Sequence, residues 1–309
     1  MFENHKPLAL GCMGMSGTWN PSDLTPARIS KAIEAFEAAL IAGITLFDHA
    51  DIYGAGTCET VFKSCLEAHP DARANIQIWS KGGLGGVFNL SSDYLRDALE
   101  NSLRRLGVEH LELYQLHRPD MLAHPRDTAQ FVNEAIASGK IGAIGVSNYF
   151  PEQIHALQKY LDVPIVSNQF ELNALRLVPF YEGWTMPKYG GYSGDVGVVG
   201  DGLLDFCMAE GITPLAYAPL GRSVLSKNDS KDGREKDVQD VLGELALKYD
   251  ATRGQIALAW LRTHPSGIIP VVGSNNPAHI FEAAQKTDLR LERGEWYRVF
   301  TASWGRNMP

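Results

Sequence analysis

ITLFDHADIYG, residues 44–54, opens as a short apolar run (Ile44, Leu46, Phe47) and ends in polar groups, Asp48, His49, Asp51 and Tyr53. A run of that length fills a buried strand. A strand that delivers a carboxylate at its end, with a phenol five residues on, is how a rigid scaffold presents a site. Solvated charges at a strand end are also common, so the reading turns on whether other strands bring polar groups to the same edge.

Working outward, short β-like runs alternate with amphipathic helical patterns along the whole chain. Pro7–Gly11 precedes a Met/Gly-rich stretch; Thr25-Pro26 then supplies an N-cap and a first-turn proline, Ile29, Ile33, Phe36 and Leu40 follow at helical spacing, and Gly43 stops the helix. After the quoted strand come a helix over Thr57–Ala68 and a third strand over Ile76–Gly83. Ser91 caps a helix carrying Leu95, Leu99, Leu103 and Leu106, closed by Gly107. Further strands are expected at Leu111–His117, Ile141–Asn148, Pro164–Leu172, ITPLAYAPLG (212–221) and GIIPVVGS (267–274). Further helices are expected at Ala129–Ser138, from Pro151, at Leu203–Glu210, Val238–Lys248 and Thr252–Thr263, from Pro277, and from about Glu292. Eight strands alternating with helices predict an α/β fold, a (β/α)8 TIM barrel forming one domain over residues 1–309, with a C-terminal helix. A doubly wound sheet is the weaker alternative, because no GxGxxG follows the first strand.

One region breaks the alternation. Between Gly183 and Gly202 stand seven glycines, with Trp184, Tyr189 and Tyr192. A long connection after the sixth strand is expected to be a functional loop, with a lid over the mouth favoured over packing on the outer face.

The 309 residues are 45% hydrophobic with a net charge of −8 and no basic block, which disfavours nucleic-acid and anionic-membrane partners. The N-terminal residues lack a signal-peptide pattern, and the longest apolar run, near Ala38–Phe47, is too short for a membrane span. Cys12, Cys58, Cys65 and Cys207 show neither CxxC nor zinc spacing, so reduced thiols in a cytoplasmic protein are expected. No metal site is expected.

Catalytic groups of a barrel sit at the C-terminal ends of its strands. Here those ends carry Asp48, Lys81, His117, Ser147 with Asn148, Gln169, Tyr217 and Ser274, all phased to one mouth. An unperturbed Tyr titrates near 10 and donates a proton poorly at neutral pH. A Lys ammonium beside it stabilises the phenolate, a carboxylate keeps that Lys charged, and a neutral His can orient a substrate oxygen. Asp48, Tyr53, Lys81 and His117 suit those four roles.

FDHADIYG, WSKGG, LYQLHRPD, GVSNY, NQFELN and AYAPLG, with GCMGMSG before them and IPVVGSNNPAHIFEA after, resemble the successive signatures of the aldo-keto reductase superfamily, in its order and over nearly the whole chain. The resemblance implies a barrel that binds NADP(H) without a Rossmann motif and transfers hydride between nicotinamide and a carbonyl or alcohol. It implies Tyr53 as general acid, tuned by Lys81 and Asp48, with His117 orienting the carbonyl. It places Ser147, Asn148 and Gln169 on the carboxamide, Tyr217 on the nicotinamide ring, Pro219, Leu220 and Gly221 along the pyrophosphate, and Gly273, Ser274, Asn275 and Glu282 near the adenosine end. Met15, Trp19 and Trp184 are the candidates for the substrate pocket.

One departure concerns the cofactor. Many members of the superfamily carry Arg or Lys near the position of Asn275 to hold a 2′-phosphate; a neutral Asn makes no ion pair, though the helix start at Asn276 favours an anion. NADP is expected, with NAD as the alternative. Two other functions compete. A metal-dependent barrel hydrolase or isomerase would use Asp48, His49, Asp51 and His117, and a non-catalytic nicotinamide-binding subunit would use none of the acid–base set.

Overall fold

The computed structural model describes residues 1–181 and 202–305. The lid reading of the glycine-rich connection, and with it Trp184 as a pocket residue, lies outside the described residues.

Eight parallel strands close a barrel in chain order: β1 Ala9–Gly11, β2 Leu46–Asp48, β3 Gln77–Gly82, β4 Leu113–Leu116, β5 Ile144–Ser147, β6 Ile165–Glu171, β7 Thr213–Tyr217 and β8 Ile269–Val272. The first and last strands pair directly, Leu10 opposite Val272. Between them run α1 Pro26–Ile41, α2 Thr57–Ala68, α3 Ser92–Leu106, α4 Pro125–Ala137, α5 Pro151–Gln158, a single turn α6 Val178–Tyr181, α7 Leu203–Glu210, α8 Gly233–Lys248, α9 Arg253–Thr263, α10 Pro277–Ala284 and α11 Arg293–Trp304.

The two-residue period of a strand sorts its side chains. Phe47, Ile78, Tyr114, Leu116, Ile144, Val146, Phe170, Ala216 and Val272 point outward into the apolar shell shared with the helices. Ala9, Leu46, Trp79, Leu113, Leu215, Ile269 and Val271 point inward and meet as an apolar plug inside the barrel. Two residues further along β2, β3, β4 and β7, the inward position becomes Asp48, Lys81, Gln115 and Tyr217. The strands read as nearly unbroken apolar runs because both faces are buried up to that level.

The β5–β6 register slips: Ile144 faces Ile165 but Val146 faces Asn168, so β6 carries one extra residue. The bulge lets Val166 pack against the inner plug while Gln169 still aligns with Ser147 at the mouth.

The helix boundaries depart from the periodicity where the helical turns are polar. α4 begins at Pro125, with the His124 ring accepting from the Arg126 N–H at 3.1 Å, four residues before its first expected apolar position. α8 begins at Gly233, since the charged run before Val238 is helical without an apolar stripe. Thr25 and Ser91 occupy cap positions, but neither hydroxyl accepts a capping bond. The C-terminal helix α11 is tied to α9 by two stacked indoles 5.2 Å apart, each N–H donating to the other residue's carbonyl: Trp260 to Trp296 at 3.1 Å and Trp296 to Trp260 at 3.0 Å. Among the described residues no helix is long and apolar enough to cross a membrane.

Candidate active site

The mouth is built on one buried ion pair. Asp48 ends β2 and Lys81 lies near the end of β3; the Lys81 Nζ is 2.7 Å from both Asp48 oxygens and donates to the His49 carbonyl at 2.8 Å. Lys81 has no exposure and Asp48 2%. Burial alone pushes the ammonium down, but Asp48 and Tyr53 beside it hold it above its ordinary value.

Tyr53 is set over this pair by a left-handed turn. Residues Tyr53–Gly56 form a short 3-10 turn in which Gly54, Ala55 and Gly56 all have positive φ, immediately before α2. At Gly54, with φ +58, a Cβ would stand 2.4 Å from the Thr57 Oγ1, so a side chain there would displace the turn that carries the phenol. The ring centre lies 5.0 Å from the Lys81 Nζ, and the His117 ring meets it edge-on, 6.0 Å between centroids at 84°.

The electrostatics amend one expectation. Lys81 does act to lower the phenol's pKa, but burial is the larger effect and Asp48 adds to it, so Tyr53 is held above 10 rather than below it. The group at this position is an un-ionised O–H across the neutral range. His117, following β4 and 8% exposed, is pushed down to about 3 by burial and then by Lys81 and Arg118. Its imidazole is therefore neutral, and its Nδ1 has no partner among the described residues.

The amide and hydroxyl groups expected at the mouth form a chain across β5, β6 and β7. The Tyr217 hydroxyl donates to the Asn148 Oδ1 at 3.2 Å, the Asn148 Nδ2 to the Ser147 Oγ at 2.7 Å, and the Ser147 hydroxyl to the Gln169 carbonyl at 3.0 Å. Asn148 sits at φ +63. Tyr217 is thus a half-buried ring at the end of β7 with its hydroxyl committed to Asn148. The Gln169 Nε2 donates to the Asp48 Oδ1 at 3.0 Å, which leaves its Oε1 as the acceptor for a ligand. A ring to stack on, with amide and hydroxyl groups at its edge, fits an aromatic carboxamide.

Past β7, Pro219, Leu220 and Gly221 lie in a loop where Ala218, Gly221, Arg222 and Ser223 all have positive φ. Strained backbone of this kind accompanies ligand cradles, because successive left-handed residues turn their N–H groups to one side. Past β8, Gly273 is open, Ser274 accepts from the Asn276 N–H at 3.1 Å, and the Asn275 amide donates to the Gly14 carbonyl. Asn275 thus ties two loops together through one of its two amide N–H groups. Lys286 and Arg290 bond backbone carbonyls, Tyr249 in one case and Thr287 and Leu289 in the other. Glu282, in the last turn of α10, accepts from the Thr252 hydroxyl at 2.7 Å, which ties it to the start of α9.

Other expected positions fall elsewhere. Met15 is buried in the hydrophobic core at 2% exposure, whereas Trp19 stands out at 58%. His49 is fully buried edge-on to Phe62, its ring pushed to about 3 by burial, with neither nitrogen partnered among the described residues. Asp51 hydrogen-bonds through its backbone to the Lys81 carbonyl, but its Oδ1 is buried and unpartnered. Burial and Glu59 raise that carboxyl to about 7 against the pull of Arg105. Among the described residues no three His, Cys, Asp or Glu converge on a point that could hold a metal, and the four cysteines are free and buried.

Gln115 was not among the expected groups. It lies two residues before His117, fully buried, with its Nε2 3.2 Å from the Asp48 Oδ1. The strand period alone would have placed it on the inner face, two positions after Leu113.

A closed barrel with acid–base groups gathered at its C-terminal mouth is the arrangement of an enzyme. The chain belongs to the aldo/keto reductase family, whose profile matches residues 7–301. It is 36% identical over 303 residues to a 6-dehydroglucose reductase of Novosphingobium aromaticivorans, covering 95% of this chain and 92% of the relative. It is similar in structure to a thermostable aldo-keto reductase crystallised with the inhibitor epalrestat, with TM-score 0.78, 27% identity and 96% and 94% of the two chains covered. It also shares its fold with an aldo/keto reductase from Klebsiella pneumoniae in complex with NADP and acetate, with TM-score 0.74, 23% identity and 98% and 93% covered.

Proposed function

We propose that this enzyme reduces a carbonyl to an alcohol with NADPH, Tyr53 giving the proton, and runs the same groups in reverse for oxidation. The observation that carries the reading is the fully buried Lys81, 2.7 Å from Asp48 and 5.0 Å from the centre of the Tyr53 ring. A cation held in that position assists the ionisation of the phenol.

The reduced nicotinamide supplies the hydride; the chain's own residues do the rest. His117, kept neutral, directs the carbonyl oxygen towards Tyr53 without placing a second charge beside Lys81. Tyr53 donates its O–H as the oxygen becomes an alkoxide, and Lys81 stabilises the phenolate left behind. Asp48 keeps the ammonium charged within the barrel. Ser147, Asn148 and Gln169 fit the carboxamide, and Tyr217 the ring; Pro219–Gly221 fit the pyrophosphate, and Gly273–Asn275 with Glu282 the adenosine end.

NADPH is favoured over NADH because the K. pneumoniae protein of the same fold holds NADP. For the substrate, the N. aromaticivorans relative supports an aldehyde on a hexose skeleton. The buried, unpaired thiols support a reducing, cytoplasmic setting, and the net charge of −8 supports a small-molecule partner rather than nucleic acid. A panel of sugar aldehydes, simple aldehydes, ketones and alcohols, followed by nicotinamide absorbance with both cofactors, tests the proposal. Higher kcat/KM with NADPH is expected, and equal or reversed values overturn the cofactor choice. No turnover of any carbonyl or alcohol overturns the activity.

A further inference from the structure

Among the described residues the Asp48 Oδ1 accepts three hydrogen bonds, from Lys81 at 2.7 Å, Gln169 at 3.0 Å and Gln115 at 3.2 Å, whereas the Oδ2 accepts one, from Lys81. The first two donors have places in the reading above; Gln115 has none. It is fully buried on β4, beside Lys81 in the β3–β4 register and beside Gly145 in the β4–β5 register. Gly145 clears its path: a Cβ there would lie 3.1 Å from the Gln115 Cγ and 2.3 Å from the Ser167 Oγ. The Gln115 Oε1 and the Ser167 Oγ are both buried without partners among the described residues. An amide half unpaired in a closed barrel is costly relative to an apolar residue such as Leu113 beneath it. The contact to Asp48 is what sets this residue apart from a filler.

We propose that Gln115 is a positioning residue for the proton donor: its amide N–H holds the Asp48 Oδ1 so that the carboxylate grips Lys81 without absorbing the whole of its charge, leaving Lys81 to serve Tyr53. The inference rests on the reading of Tyr53 as the proton donor. Gln169 also holds this oxygen, but it stands at the mouth, where a carboxamide competes for its side chain. Gln115 is enclosed within the barrel and has no second ligand to serve.

The titratable groups facing the Tyr53 phenol are Lys81 from β3, Asp48 from β2, His117 after β4 and Cys12 after β1. Of these, Lys81 favours the phenolate and Asp48 and Cys12 oppose it. An N–H directed at the Oδ1 takes up part of the carboxylate's field. Removing it strengthens Asp48 at the expense of Lys81 and raises the phenol's pKa.

The test uses the full chain with Gln115→Leu and Gln115→Glu, and three readouts. These are NADPH affinity by fluorescence quenching, the pH profile of kcat/KM, and the Tyr53 titration from phenolate absorbance with Tyr53→Phe as blank. Gln115→Leu is expected to bind NADPH within about twofold of the parent and to lose about 10- to 100-fold in kcat. Its Tyr53 titration and the alkaline limb of its profile should both move up by about half a pH unit or more. Gln115→Glu should keep turnover at low pH, where the new carboxyl still donates an O–H, and lose it as that group ionises against Asp48. A folded Gln115→Leu with turnover, limb and phenol titration all unmoved overturns the proposal. Should Gln115→Leu fail to fold, a Gln115→Glu profile with the same shape as the parent's overturns it. If Tyr53→Phe keeps full turnover while Gln115→Leu still moves the phenol titration, the proton-donor reading falls and the positioning of Asp48 stands.

Discussion

The barrel interior has two levels, one pleat apart on the same strands. The lower holds Leu46, Trp79, Leu113 and Leu215; the upper holds Asp48, Lys81, Gln115 and Tyr217. The lower is fully enclosed and the upper is buried apart from the half-buried Tyr217, and the two are stabilised differently. The lower level depends on filled volume, so its cost of error is a cavity. The upper level depends on charge compensation, so its cost of error is an unpaired ion. The lower level keeps the barrel rigid, and the upper converts that rigidity into a poised acid.

The largest effect that separates the levels is expected from Tyr53→Phe. Turnover should fall about 10²- to 10⁴-fold with NADPH affinity and melting temperature nearly unchanged, checked by steady-state kinetics beside a thermal melt. Survival of turnover would break the division. Lys81→Ala should affect both quantities, since it strands Asp48 in the barrel: turnover is lost, and chemical denaturation should read a loss of about 3–5 kcal/mol. Trp79→Ala, one pleat below, should cost a similar ~3–5 kcal/mol of stability. Its turnover per folded molecule should nevertheless stay within an order of magnitude of the parent, measured below the variant's melting point. A collapse of turnover in that folded variant would mean the two levels are not separable.

The smallest effect is a pH slope. His49 is held down to about 3 by burial, against an ordinary 6.5. As pH falls below 6.5 the unfolded chain takes up the proton first, so the fold loses stability between 6.5 and about 3, by up to about 1.4 kcal/mol per pH unit. His117 acts in the same direction over the same window. Asp51 acts oppositely: its carboxyl is raised from 3.8 to about 7, so its neutral form stabilises the fold at low pH and that contribution is lost as pH rises through this window. Urea denaturation across pH should find a shallower acid slope in His49→Phe and a higher plateau near neutrality in Asp51→Asn. Unchanged slopes would place these titrations outside folding.

Much of the upper level was legible because strand-end residues announce themselves where an apolar run turns polar: Asp48, Lys81, His117, Ser147 and Tyr217 all stand at such boundaries. Gln115 was not legible that way, because Leu116 follows it and the run continues outward; only the inward parity of Leu113 marks it. The sequence places Met15 in a Gly/Met-rich loop but does not show how deeply the fold encloses it. The starts of α4 and α8 were hidden by polar first turns, which carry no stripe. The net direction of the Tyr53 shift was hidden too, since sequence gives the neighbours of a group but not how deeply it is enclosed.

The pairing of β1 with β8 has a consequence for how the chain is made. Lys6, just before β1, donates to the Ala284 carbonyl at the end of α10, a contact spanning 278 positions, and also to the Ala42 carbonyl. A nascent chain therefore presents β1 as an unpaired edge through nearly the whole of its synthesis, and the barrel seals only once β8 and α10 have emerged. The three-residue length of β1 limits what that waiting edge can capture, so brevity at the start of the chain protects the ring until its last member arrives.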